Sequence, residues 1–176
     1  TRPMSGLEWL TLEDAASGIR EKRFSAAELT RHCLDRMDRY GETLNCIAGT
    51  DPETALADAE TADRQLVTGQ ASGPLHGVPL AHKDMYYRAG RESACGSVIR
   101  KGWIPGTTST ALDRLDRAGA LDIARLNMVE FALGPTGHND HTGAVRNPWN
   151  RDHITGGSSS GSGSAVAAGL VYGALG

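Results

Sequence analysis

The sequence has no long apolar segment. Its 176 residues are 39% hydrophobic and 22% charged, yet no apolar run approaches the roughly 20 residues that are needed to cross a bilayer. The first residues also lack the basic region, apolar core and small-residue cleavage site of a signal peptide. We therefore expect one domain or part of one, located in the cytoplasm and without a membrane partner.

An excess of positive charge is also missing. Eighteen Lys and Arg residues stand against twenty-one Asp and Glu residues, which gives a formal net charge of −3. The two signs are interspersed along the chain and do not form blocks. This distribution gives no electrostatic reason to expect a nucleic-acid partner.

Cysteine is scarce and widely spaced. The three residues Cys33, Cys46 and Cys95 form no CxxC pair, so neither a disulfide framework nor a zinc site is predicted. The simplest interpretation is that they are small buried hydrophobic residues. Cys95, in "SACGS", is an alternative as a nucleophile, but its neighbours include no obvious base.

Helix signals fill the first third of the chain. Three starts pair a capping side chain with an acidic residue three positions on or with a following proline: Thr11 with Asp14, Ser25 with Glu28, and Asp51 before Pro52. Apolar side chains recur at a spacing of four within 26–40, at Leu29, Cys33 and Met37. About residues 1–70 are therefore predicted to form a helical layer that gathers no chemical groups.

The pattern changes after residue 70. The run "PLHGVPLAHKD" is typical of a buried strand that ends at Lys83, a helix is predicted near "STALDRLDRAGA", and "ALDIARLN" is a second strand candidate. One or two helical turns are expected in "MVEFALG", closed by Gly134. This alternation predicts an α/β fold in which residues of about 71–176 begin the core and the early helices pack on one side of a sheet.

Residues 134–164 show no period and are rich in Gly, Ser, Asn and His. A flexible tether and a packed functional loop are the two interpretations. The loop is favoured because "AVAAGLVYGALG" follows with no polar break, which places the serines at the start of a buried helix. Gly156 and Gly157 allow a tight bend, and residues that pack lie just before them, at Pro148, Trp149 and Ile154.

Two chemistries suit such a loop. Phosphate binding by a P-loop needs a Gly-Lys-Ser/Thr end, and no lysine follows Lys101. Serine nucleophilic chemistry needs a base within hydrogen-bonding distance. Lys83 is a candidate because a strand end beneath apolar flanks would desolvate its amine and lower its pKa; the alternative is a surface lysine paired with Asp84.

Histidines provide the other candidate bases. His138, His141 and His153 lie near the serines, although each is also consistent with a polar loop residue that bonds to the backbone. His138 and His141 could form a metal site together with Asp140. A spacing of three residues in a Gly-flanked loop is a weak signal for metal ligands, however, and no metal is predicted.

Two separated blocks carry a family resemblance, "GVPLAHKD" at 77–84 and "GGSSSGSGSAVAAG" at 156–169. Together with "GALDIARLNMVEFALG" and "GAVRNPWN" between them, they make the chain, from about residue 7 onward, similar to the amidase signature family of serine amidohydrolases. The resemblance implies the mixed β-sheet core of that fold. It also implies a Ser-cis-Ser-Lys triad with Lys83 as base and Ser158 as the bridging serine.

Further expectations follow from the resemblance. Gly156, Gly157 and Ser159 would support the loop, and no metal or organic cofactor is implied. The implied activity is hydrolysis of a small-molecule amide through a serine acyl-enzyme. The block that supplies the acylated serine in the family would lie beyond Gly176, so the chain as given is expected to need the remaining part of the domain and to be inactive alone.

The sequence also departs from the family and leaves alternatives open. "DIARLN" stands where the family commonly has a Gly-Lys-Thr-Asn type sequence, which puts the local packing in question. The alternative functions are a non-catalytic scaffold or interaction module, and the A subunit of a tRNA-dependent amidotransferase. The amide substrate cannot be read from the sequence, and a homo-oligomer is left open.

Overall fold

A computed structural model describes residues 6–176. Its helices and strands alternate along the chain as α1 (Leu12–Arg20), α2 (Ala26–Leu44), β1 (Ile47–Thr50), α3 (Pro52–Val67), β2 (Pro79–Lys83), α4 (Thr110–Arg117), β3 (Leu121–Leu126), α5 (Ser160–Ala167) and β4 (Ala174–Leu175). Short 3-10 turns lie at Leu7–Trp9, Val98–Arg100 and Glu130–Ala132. Among the described residues, no helix is long and apolar enough to span a membrane.

The four strands form one mixed sheet in the order β1-β3-β2-β4. Strand β1 runs antiparallel to β3, whereas β2 runs parallel to both β3 and β4. All five residues of β2 are buried, because a parallel strand inside a sheet is covered on both faces. The predicted α/β class with a mixed sheet is therefore confirmed.

The predicted helix starts are present. Thr11 and Ser25 each accept a hydrogen bond from the backbone three residues on, and both capping boxes are complete. Asp51 accepts from the backbone N–H of Thr54. Each cap satisfies a backbone N–H that the first helical turn would otherwise leave unpaired.

The helical layer is held by apolar packing and by one further cap between two of its helices. Leu29, Cys33 and Met37 are buried on one face of α2, as their spacing predicts. The Asp63 carboxylate, on α3, accepts from the backbone N–H groups of Ala26 and Ala27 at 2.7 and 3.0 Å. This contact stabilises the start of α2, where the helix dipole favours a negative charge.

The segment "MVEFALG" lacks the one or two regular helical turns that the sequence predicts. It contains one 3-10 turn in which Phe131 and Ala132 have φ values of +48° and +61°. Two contacts with other loops hold this turn: the backbone N–H of Val129 donates to the carbonyl of Ser158, and that of Phe131 donates to the carbonyl of Cys95. Tertiary hydrogen bonds therefore override the local helical pattern.

The end of the chain also differs from expectation. Helix α5 ends at Ala167, and Gly169, with φ of +63°, turns the chain toward β4. Sequence analysis predicts neither β4 nor β1, which lies within the expected helical layer. Strands of two and four residues contain too few alternations to give a periodic signal.

Helix α5 approaches β3 closely at Gly161. The backbone N–H of Gly161 donates to the carbonyl of Asn127 at 2.9 Å. A Cβ atom at this position would overlap the Asn127 backbone and lie 2.7 Å from the Cys46 carbonyl oxygen. The beginning of α5, which follows the Ser158 loop directly, is thus seated on the backbone of its neighbours.

We expect Gly161→Ala to lower the free energy of unfolding by about 1–3 kcal/mol, because backbone atoms cannot move aside as a flexible side chain can. Gly163→Ala is the matched control in the same helix, since its Cβ would meet nothing within 4 Å. This control should gain up to about 1 kcal/mol from helix propensity. Urea unfolding of both variants measures the difference, and equal stabilities would contradict the close approach.

Candidate active site

Lys83 ends β2 inside the protein, where it is 3% exposed. Its Nζ donates to Ser158 Oγ at 2.8 Å and to Ser159 Oγ at 2.9 Å. Burial lowers the pKa of the Lys83 amine, because the charged form loses its hydration. The alternative of a surface lysine paired with Asp84 is therefore wrong.

The Gly/Ser-rich stretch packs against the rest of the protein. Gly156 has φ of +78° and the peptide bond between Gly157 and Ser158 is cis. A Cβ at Gly157 would lie 2.8 Å from the Gly134 carbonyl oxygen and 3.0 Å from the Gly137 nitrogen. Glycine is therefore required at 157 for the loop to pass this close to neighbouring backbone.

The histidines lie elsewhere. His138, His141 and His153 are all exposed, and Nε2 of His141 lies 2.9 Å from Glu130 Oε1. Within residues 6–176, none of the three forms a hydrogen bond with Ser158, and no group of three or more His, Cys, Asp or Glu side chains could hold a metal ion. Lys83 is the basic side chain that the structure brings to the serines.

The cysteines are protonated at neutral pH. Burial raises the pKa of the Cys33 and Cys46 thiols to about 12 and also raises that of the half-buried Cys95. A thiol attacks as the thiolate, so these environments disfavour a nucleophile. The structure thus gives no support to the alternative of a Cys95 nucleophile.

An ion pair that sequence analysis does not predict lies behind the site. The Asp84 carboxylate accepts from the backbone N–H groups of Ala94 and Gly96, both at 3.0 Å, and from the Arg125 guanidinium at 2.6 Å. A signal was present, since Asp84 follows Lys83 directly and Arg125 lies in the divergent "DIARLN" segment. Their pairing could not be read from the sequence because 41 positions separate them.

A neutral amine that is hydrogen-bonded to two hydroxyls can accept a proton from one of them. The attack on a substrate then needs a nucleophile and donors for the developing oxyanion. The structure thus places a buried lysine at the end of an inner strand of a mixed sheet, in hydrogen-bond contact with two serines of one loop.

Comparisons with known proteins give the family. The family model described as Amidase matches residues 28–176. The chain belongs to the amidase family, as the sequence resemblance predicts.

Sequence relatives agree with this assignment. The chain is 42% identical over 166 residues to the A subunit of the glutamyl-tRNA(Gln) amidotransferase of Methylococcus capsulatus, a match that covers 94% of this chain and 34% of the relative. The protein of the same name from Pseudomonas aeruginosa is 40% identical over 170 residues, with coverage of 97% and 35%. The chain thus spans about a third of the length of these relatives.

Solved structures share the fold. The crystal structure of an amidase superposes with a TM-score of 0.87 at 36% identity, covering 95% of this chain and 38% of that one. The native peptide amidase of Stenotrophomonas maltophilia gives a TM-score of 0.86 at 31% identity, with coverage of 96% and 35%.

The Lys83 amine should titrate below the ordinary lysine range. Carbon-13 NMR of protein labelled at lysine Cε measures this titration, and a Lys83→Met variant assigns the signal. Because folding lowers the pKa of this amine, the folded state binds fewer protons, and stability should rise with pH between the folded and unfolded pKa values. A titration midpoint at or above the ordinary lysine range would contradict the burial of the Lys83 amine away from water.

Proposed function

We propose that this chain supplies the base and the proton relay of an amidase that hydrolyses a carboxylic amide C–N bond through a serine acyl-enzyme. The supporting observation is the 2.8 Å contact between Lys83 Nζ and Ser158 Oγ in a buried site. In this proposal Lys83 is the base, Ser158 the bridging serine and Ser159 a second hydroxyl that orients the amine. Gly156 and Gly157 shape the loop that holds both serines.

The reaction begins with proton transfer. Neutral Lys83 accepts a proton from the Ser158 hydroxyl while Ser158 takes one from the nucleophilic serine, whose oxygen attacks the amide carbonyl. The tetrahedral intermediate collapses as the C–N bond breaks, and the relay returns a proton to the leaving ammonia or amine. Water, deprotonated by the same relay, then hydrolyses the acyl-enzyme and releases the carboxylic acid.

The nucleophilic serine and the oxyanion donors come from the further part of the amidase domain, which this chain needs as its partner. The length of the relatives, about three times the span matched here, supports this division. Burial of the amine supports the role of Lys83, because only the unprotonated form can accept a proton at neutral pH. Each step uses side chains and water.

A second candidate is the A subunit of a tRNA-dependent amidotransferase, in which the same site hydrolyses glutamine and the released ammonia is used by partner subunits. Relatives at 42% and 40% identity carry that name, which favours this candidate. A non-catalytic scaffold that binds a partner chain is the third alternative. The three differ in whether the family-length protein hydrolyses amides alone, hydrolyses glutamine within a complex, or hydrolyses none.

The test uses the family-length protein, meaning one with the full length of the relatives. Replacing Lys83 or Ser158 by Ala in it should reduce amide turnover at least about 100-fold, because a relay without its base or its bridge cannot deprotonate the nucleophile. Ammonia release from a panel of amides, glutamine included, measures the rate. Lys22→Ala is the control, since Lys22 is exposed on the helical layer. A Lys83 variant with the wild-type rate would remove the proposed base.

Glutamine separates the first two candidates. A stand-alone amidase should hydrolyse other amides at least as fast as glutamine, whereas an amidotransferase component should prefer glutamine and respond to its partner subunits. The same ammonia assay, with and without those subunits, makes the distinction. Failure of every amide under both conditions would favour the non-catalytic scaffold.

A further inference from the structure

Arg125 bridges two carboxylates behind the candidate active site. One guanidinium nitrogen donates to Asp84 Oδ1 at 2.6 Å and another to Glu92 Oε2 at 2.8 Å. The side chains of Arg125 and Asp84 are 14% and 3% exposed, so this ion pair is shielded from solvent. A planar guanidinium can hold two partners in fixed directions at once, which an ammonium group cannot do equally well.

Asp84 transmits this contact to the chain segment 93–96. Besides the two backbone N–H groups that its carboxylate binds, its carbonyl accepts from Ser93 Oγ at 2.9 Å and from the Cys95 N–H at 3.1 Å. Its own N–H donates to the Leu126 carbonyl. The residue after Lys83 is therefore the point at which segment 93–96 is attached to the sheet.

Segment 93–96 is attached to the residue that directly follows Lys83, since the Cys95 N–H donates to the Asp84 carbonyl at 3.1 Å. The charges of the Cys95 thiol and the Lys83 amine also influence each other's pKa. Arg125 is on the opposite face of the sheet, because β2 pairs Lys83 with Leu126 and His82 with Arg125, and alternate residues of a strand point to opposite faces. The hydrogen-bonded connection from Arg125 toward Lys83 therefore runs through Asp84 and the segment that Asp84 holds.

We propose that Arg125 is a positioning residue for Lys83: through Asp84, its guanidinium holds segment 93–96 against the lysine and keeps water away from the amine. This inference rests on the proposed function, in which Lys83 is the base. Loss of Arg125 leaves a buried carboxylate without its cation, beside a lysine, and loosens the segment. Both effects favour the protonated amine, so a smaller fraction of Lys83 is free to accept a proton at neutral pH.

The groups around Lys83 define what a titration would report. Ser158 and Ser159 contribute hydroxyls from the loop, and segment 93–96 contributes the Cys95 thiol. Asp84 follows Lys83 directly after the end of β2, Tyr86 lies in the turn after it, and β3 presents the apolar Leu126 as the register partner. Within residues 6–176, Asp84 is the carboxylate adjacent to the lysine in the chain, and Arg125 compensates its charge.

The test compares Arg125→Met with Arg125→Lys and with a matched control, Arg88→Met, in the family-length protein. Arg88 also bridges two carboxylates, Asp116 and Asp122, and at 16% exposed its side chain is buried to a similar extent. Three quantities are measured: the Lys83 midpoint by carbon-13 NMR, the pH profile of kcat/KM for amide hydrolysis, and the Tm.

We expect Arg125→Met to raise the Lys83 midpoint by about one pH unit or more and to move the acidic limb of kcat/KM upward equally. Arg125→Lys should restore part of both shifts. Arg88→Met should lower the Tm but move neither the midpoint nor the limb. If Arg125→Met does not fold, Arg125→Lys should still show a raised midpoint.

An unchanged Lys83 midpoint in every folded Arg125 variant would overturn the proposal. An equal shift in Arg88→Met would also overturn it, because the effect would then be a general loss of packing. The NMR midpoint needs no turnover, so a failure of this inference can be told apart from a failure of the proposed function. If Lys83→Ala left the hydrolysis rate unchanged, the catalytic role would fail while the midpoint still tested the action of Arg125 on the amine.

Discussion

The contact of the Lys83 amine with two serine hydroxyls is the constraint around which the second half of the structure is arranged. An ammonium group buried in this position would lose its hydration, so burial favours the neutral amine. The neutral amine still needs hydrogen-bond partners, and Ser158 and Ser159 provide them. Their position depends in turn on glycines that let the loop pass close to neighbouring backbone.

The sheet separates the Lys83 amine from the charges that lie nearest to it in sequence. His82 precedes Lys83 on β2 and Asp84 follows the end of the strand, yet each has a partner from β3: His82 Nδ1 lies 2.7 Å from Asp122, and Asp84 pairs with Arg125. The period of two along a strand allows this arrangement, because neighbouring residues face opposite layers. Three polar side chains can therefore follow one another at the end of β2 without pairing the lysine with a carboxylate.

Sequence reasoning was most successful where the signal was local. The caps at Thr11, Ser25 and Asp51 depend on residues three positions away, and the structure contains all of them. The chemical types at the candidate site, a lysine at a strand end and a Gly/Ser loop, were also apparent from the residues. The choice of Ser158 among the serines came from the family resemblance, because no local pattern distinguishes it.

The remaining features depend on contacts between distant segments. Strands β1 and β4 exist because β3 and β2 pair with them, and their few residues carry no pattern of their own. The left-handed turn at 131–132 is held by loops that close over it. The ion pair of Asp84 with Arg125 joins residues that only the folded sheet brings together, so a single sequence gives no means of pairing them.

The main-chain hydrogen bonds that hold the start of α5 bear on how this region can diverge over evolutionary time. The Cys46 carbonyl accepts from the Asn127 N–H, the Asn127 carbonyl from Gly161, and the Ser158 carbonyl from Val129. Main-chain atoms alone make these links, which are indifferent to the identity of the side chains around them. Substitutions can therefore accumulate in the neighbourhood while the spacing between lysine and serine is inherited unchanged, provided that positions 157 and 161 remain glycine.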